Sequence, residues 1–158
     1  MDYLLKPIDK QHLLELVDQV WKELPANYSS TQKQFRPEHE FFSLCLEKEE
    51  YPESLKKAIK FMREKYMEDI SIQTISEELM LHPNYLSTLI NKHLKVNFSY
   101  LLDYIRLEKA CEMLFSEPDM TIAELSYIVG YNSERRLYQA FSKRLGCTPG
   151  DFKKSLER

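Results

Sequence analysis

Residues 121–152 read TIAELSYIVGYNSERRLYQAFSKRLGCTPGDF, and this stretch decides the fold. Thr121 stands three residues before Glu124, the spacing at which a hydroxyl and a carboxylate satisfy each other's free backbone donors, so a helix is predicted to begin at Ile122. Its inward stripe is Ile122, Leu125 and Val129. Gly130 stops it, because a sharp turn needs a position that tolerates left-handed dihedrals without steric cost. Ser133 can cap a second helix, in which Leu137, Ala140, Phe141 and Leu145 share one face while Arg135, Tyr138, Gln139 and Ser142 share the other. Arginine can hold the major-groove edge of guanine bidentately, and glutamine can do the same for adenine. Tyrosine, serine and the nearby Lys143 and Arg144 suit phosphates. The stretch describes a helix-turn-helix reader; an ordinary helical hairpin with a solvated polar face has the same spacing.

A second copy favours the reader. Ile72, Leu79, Leu86, Leu89, Ile90 and Leu94 repeat Ile122, Val129, Leu137, Ala140, Phe141 and Leu145 at an offset of 50 that becomes 51 after the turn. The earlier unit, SIQTISEELMLHPNYLSTLINKHL, places Ser71 at its start and Pro83 at the first position of its second helix. Its outer face carries Asn84, Ser87, Thr88 and Asn91 and is nearly uncharged. Between the units, Ser99 can cap a connector helix running to about Phe115, with Leu101, Ile105, Cys111 and Leu114 inward. At about 1.5 Å per residue it spans roughly 25 Å, so with its flanking turns it can hold two readers about one DNA turn, near 34 Å, apart.

Residues 54–158 resemble the AraC/XylS family of bacterial transcription regulators, through SIQTISEELMLHPNYLSTLINKHLKVNFSYLLDYIRLEKACEML in the first unit and residues 121–152 in the second. The match includes both units, the IRLEKA connector and the GYNS…F…K…G…TP signature. The resemblance implies an all-α module of about seven helices that reads double-stranded DNA and mostly activates transcription, with RNA polymerase as a partner. Carried over to matching positions, the base readers are Asn84, Ser87 and Thr88 in the first unit and Glu134, Arg135 and Gln139 in the second. Tyr85, Asn91, Lys92, Arg106, Ser133, Arg136, Tyr138 and Lys143 complete the candidate DNA-binding set. Arg106 can touch phosphate or pair with Asp103 or a neighbouring carboxylate; Tyr85 and Tyr138 can face phosphate or cover the rim of the core. The chain departs from the family where Met80 and Lys95 replace glycines, Ile90 replaces a phenylalanine, and His82 stands as a poor cap.

Composition frames this reading. Hydrophobic residues at 43%, charged residues at 30% and only 3 glycines fit a soluble helical chain. No apolar run approaches the roughly 18 residues that cross a membrane and no signal-peptide layout is present, so the expected location is the cytoplasm. Cys45, Cys111 and Cys147 lack metal-ligand spacing and read as reduced thiols, and His12, His39, His82 and His93 are scattered. The net charge of −3 is unevenly divided: residues 1–51 carry 6 basic and 10 acidic groups, whereas residues 130–158 carry 7 and 3. So local a positive patch implies weak non-specific affinity and reliance on a specific site, with a second protomer as a possible helper.

Residues 1–24 resemble the carboxyl end of a two-component receiver domain, a strand MDYLLKPI followed by a helix with Leu13, Leu16, Val17, Val20 and Leu24 inward. In that resemblance Lys6 matches the phosphoryl-contacting lysine and Pro7 a cis proline; a fortuitous strand and amphipathic helix is the alternative. The rest of a receiver is absent, so the chain is expected to be a fragment of a response regulator whose sensor kinase partners only the full-length protein. Residues 25–51 read as linker, within which FFSLCL at 41–46 is apolar enough to pack on the module or on a partner. After Pro52, Leu55, Ile59, Met62, Tyr66 and Ile70 predict the first helix of a module over 52–158, with helix-turn-helix units at about 71–94 and 121–145. No phosphate-cradling glycine loop, His-Glu-x-x-His or glycine-flanked serine supports an enzyme, a cofactor or a metal site. The expectation is a sequence-specific transcription regulator; a helical protein-interaction module that has lost DNA binding is the other reading.

Overall fold

The computed structural model describes residues 46–156, together with Glu15. The strand and helix expected over 1–24, most of the 25–51 linker, Cys45, His12 and His39 lie outside the described residues. Among the described residues the fold is all-α: α1 (Glu53–Lys65), α2 (Ile72–Glu78), α3 (Pro83–Leu94), α4 (Phe98–Ser116), α5 (Ile122–Ile128), α6 (Glu134–Leu145) and α7 (Pro149–Leu156). They form two compact units, divided within α4 between Arg106 and Leu107.

In the first unit α2 packs on α3, and α1 packs on both. Leu55, Met62, Ile75, Leu86, Ile90, Leu101 and Ile105 are fully buried there. Ser71 caps α2 in a reciprocal box with Thr74, whose backbone N–H donates to the Ser71 hydroxyl at 3.1 Å. In the second unit α5 packs on α6 and α6 on α7. Its core holds Leu125, Val129, Leu137, Phe141 and Phe152, with the Phe141 and Phe152 rings edge to face at 6.1 Å between centroids. Thr121 and Glu124 form the expected capping box, and the bonds from Thr121 hold the Glu124 carboxyl below the usual carboxylate range.

The repeat is exact at the level of backbone bonding. After α2 the N–H of Met80 donates to Glu77 O and that of Leu81 to Ser76 O; after α5 Gly130 donates to Tyr127 O and Tyr131 to Ser126 O. This pair of bonds closes a helix through one left-handed residue and satisfies carbonyls the helix would otherwise leave open. That residue is Met80 at φ 54° in the first unit and Gly130 at φ 86° in the second. Lys95 and Gly146, at φ 59° and 67°, are the left-handed residues that end α3 and α6, each donating its own N–H back to the helix, to Asn91 O and to Phe141 and Ser142 O. The repeat also runs further than the two helices: Asn97 Oδ1 caps α4 through Tyr100 N–H at 2.8 Å, and at an offset of 51 Thr148 Oγ1 caps α7 through Asp151 N–H at 3.1 Å. Each unit is therefore a helix-turn-helix plus the start of a third helix.

Three local expectations are corrected. The apolar spacing that runs to Ile70 overstates α1, which ends at Lys65: residues beyond it turn, and Ile70 is buried from the connection rather than from the helix. Asn97 rather than Ser99 caps α4, since its amide oxygen reaches the first free N–H groups and leaves Phe98 as the first helical residue. His82 is a working cap, because its Nδ1 accepts from Asn84 N–H at 3.2 Å. The connector is also buried beyond its expected stripe, at Leu102, Tyr104, Arg106, Leu107, Ala110 and Met113 as well.

Cys111 and Cys147 are free, buried thiols. Burial pushes both up, Cys147 to about 12 with Asp151 adding to the effect. A thiol raised in the folded state stabilises the fold below its ordinary value and stops doing so as pH climbs through the folded value. Stability should therefore fall between about pH 9 and 12, and Cys147→Ala should flatten part of that loss in pH-dependent urea melts. The left-handed residues give a second expectation. A side chain at such a position costs roughly 1 kcal/mol, and Met80 is 92% exposed, so little packing opposes its removal. Met80→Gly should raise unfolding free energy by about 0.5–1 kcal/mol in chemical denaturation, with Lys95→Gly behaving alike.

Candidate nucleic-acid interface

The α6 helix is capped by Ser133, whose hydroxyl accepts from Arg136 N–H at 3.4 Å, and buries Leu137, Ala140, Phe141 and Leu145. Anchoring this stripe leaves Glu134, Arg135, Arg136, Tyr138, Gln139 and Lys143 exposed, with Ser133 and Ser142 half-buried at the edge. Four basic residues against one acidic residue make this helix net positive. Among the described residues no carboxylate pairs with Arg135, Arg136 or Lys143, so their donors face outward ready for an anionic or base-edge partner. Tyr138 is 38% exposed, its ring partly covering the rim and its edge still open.

The α3 helix repeats the geometry with different chemistry. Leu86, Leu89, Ile90 and Leu94 are buried; Asn84, Tyr85, Ser87, Thr88, Asn91 and Lys92 are exposed. The only charged side chain on that face is Lys92, and the Thr88 hydroxyl donates to Asn84 O at 2.8 Å. Tyr85, at 49% exposure, lies beside this polar row.

Arg106 does not belong with these faces. It is 9% exposed, with Nε donating to Tyr66 O at 2.8 Å and one terminal nitrogen donating to Glu68 O at 2.9 Å. Its fork closes the turn after α1, where carbonyls have outrun their helix partners, and it is withdrawn from the candidate set for that reason. Lys153 on α7 makes a similar contact in the second unit, donating to Met120 O at 2.8 Å just before α5. Neither role was legible in the sequence, since both partners are backbone carbonyls 33 to 40 positions away. Asn132, the inserted residue behind the change of offset from 50 to 51, lies outside the candidate set and is exposed at the amino end of the α6 face.

Two units, each with a short helix bracing a second helix whose polar side is exposed, define a tandem helix-turn-helix module. Residues 75–155, just over half of the chain, match the family model described as "Helix-turn-helix domain", and the chain belongs to this family of AraC-type DNA-binding domains. It is 28% identical over 99 residues to the raffinose operon transcriptional regulatory protein RafR of Pediococcus pentosaceus, which covers 63% of this chain and 35% of that protein. Among solved structures it is similar to the C-terminal domain of AraT, a response regulator from Geobacillus stearothermophilus, at 29% identity and a TM-score of 0.65, covering 67% of this chain and 88% of that one. The C-terminal domain of the two-component response regulator yesN from Fusobacterium nucleatum gives 26% identity, a TM-score of 0.58, and coverage of 62% and 96%. The chain spans 12% of YtdP of Bacillus subtilis and 35% of RafR, so these relatives extend well beyond the shared module. The module is one of DNA-binding transcription regulation. No helix among the described residues is long and apolar enough to cross a membrane.

The placement of Arg106 has a measurable consequence. Arg106→Ala leaves two backbone carbonyls without their charged donor and should cost on the order of 2–3 kcal/mol in unfolding free energy. At temperatures where the variant stays folded, the salt slope of its DNA binding should equal that of the parent.

Proposed function

We propose that this chain is the output end of a bacterial two-component response regulator, a sequence-specific transcription regulator whose α3 and α6 helices read two successive major-groove segments of one duplex. The observation that carries the DNA-reading part is the α6 face: Arg135, Arg136, Gln139 and Lys143 are exposed together over a buried apolar stripe. A helical module docking on a protein partner has no need of four cations on one twelve-residue helix, whereas a phosphate backbone attracts them. The two-component part is supported by two similar solved structures, both C-terminal domains of response regulators, and by the receiver-like sequence MDYLLKPI. Successive grooves are supported by a 19-residue connector, long enough at about 1.5 Å per residue to match one turn of DNA when its flanking turns are added.

In this reading Arg135 and Gln139, one helical turn apart, make the bidentate base contacts of the second segment. Arg136, Lys143, Tyr138, Ser133 and the amino end of α6 hold the backbone, with Glu134 beside them. Asn84, Ser87, Thr88 and Asn91 read the first segment, with Tyr85 and Lys92 on its phosphates. RNA polymerase and a second protomer on a neighbouring site are the proposed protein partners, the sensor kinase acting on the receiver portion of the full-length protein in the cytoplasm. Selection from a random duplex library, followed by a base-by-base affinity profile, tests the assignment. Arg135→Ala should lose on the order of 1–3 kcal/mol on the selected site and relax preference at one base position. Lys143→Ala should weaken all sequences alike and lower the salt slope by about one unit. Equal affinity of the chain for selected and scrambled duplexes would refute sequence reading.

A further inference from the structure

The 51-residue offset makes Thr88 on α3 the counterpart of Gln139 on α6, and both are exposed. Gln139 carries an amide, which suits adenine. Thr88 has already committed its hydroxyl: Oγ1 donates to the carbonyl of Asn84, four residues back, at 2.8 Å. A threonine bonded back in this way has used its donor on the helix, and its branched Cβ holds that rotamer. With that donor used, exposed Thr88 has left to offer its methyl group and an oxygen that can only accept. Around it stand Asn84, Ser87 and Asn91, all exposed; no arginine lies on this face to hold guanine, and its one cation, Lys92, is assigned above to phosphate. In the major groove the C5-methyl of thymine is the feature that an apolar group can recognise, and asparagine recognises adenine.

We propose that the first reader takes an A·T base pair and that the Thr88 methyl, fixed by its bond to Asn84, packs on the C5-methyl of the thymine. This rests on the DNA-reading function proposed above and assigns a base identity to its less charged half. A rotamer set before binding is not ordered at the cost of affinity, so one methyl contact discriminates despite its small area. Thr88 is thus a specificity residue rather than a phosphate contact.

The test uses the full chain and the duplex it selects. Each thymine is replaced in turn by deoxyuridine, which removes the methyl alone; the half-site of the first reader is marked by where Asn84→Ala relaxes base preference. One thymine in that half-site should weaken binding about three- to fivefold when replaced, the value of one buried methyl. Thr88→Ser keeps the hydroxyl and drops the methyl: it should bind the parent site weaker by the same factor and ignore the uracil change. Thr88→Val keeps a methyl and should still respond to uracil. A flat uracil scan across that half-site, or a Thr88→Ser variant that still senses the methyl, overturns the assignment while leaving the selected sequence standing. A chain that selects no sequence overturns the DNA-reading function itself, and this proposal with it.

Discussion

The module depends on a turn that must reverse the chain within two or three residues without leaving backbone groups unpaired. Both units solve it with the same pair of backbone bonds, from Met80 and Leu81 to Glu77 and Ser76, and from Gly130 and Tyr131 to Tyr127 and Ser126. Because the closure uses only backbone atoms and one left-handed residue, it ends each first helix in the same way without constraining what the second helix carries, and it tolerates the extra Asn132 before α6. The apolar stripes of α3 and α6 then set the rotation of each helix, so the outward residues follow from geometry while their identities remain free. This is why two units with the same bonding present faces as different as Asn84-Ser87-Thr88 and Arg135-Tyr138-Gln139. In the first unit the left-handed position is filled by methionine, a local cost tolerated because the surrounding bonds over-determine the turn.

The parts legible from the chain were those governed by short-range rules. The capping box at Thr121 and Glu124, the stop at Gly130, the cap at Ser133 and the buried stripe of α6 follow from spacings of one to four residues, and the structure has all of them. The same rules misjudged α1 because apolar periodicity cannot tell a helical residue from one buried just beyond a helix end, which is the position of Ile70. They misjudged the start of α4 because Asn97 and Ser99 are both good caps; Asn97 takes the role, its side chain accepting from Tyr100 N–H and its carbonyl from Leu101 N–H. Arg106 was the costlier miss. A basic residue on a connector looks available for phosphate until the turn 40 residues earlier is known to leave carbonyls for it.

Removing Arg106 from the readers changes how the positive charge divides. Arg106 and Lys153 direct donors to backbone carbonyls inside their own units, each pinning the segment just before a helix-turn-helix, so they add to the general positive field but not to an outward recognition face. What remains concentrated on one recognition helix is the α6 set, while α3 presents Lys92 alone. Charge directed at phosphates raises affinity for every sequence and sharpens none, whereas short polar groups and a methyl discriminate without adding to that background. An asymmetric pair therefore separates two tasks. In the proposed function the basic helix holds the duplex through phosphates and one arginine-directed base, while the neutral helix rejects wrong bases at little cost in non-specific binding. Had both faces been as basic as α6, a module this small would spend its time on random sequence; had both been as neutral as α3, it would have too little attraction to reach its site.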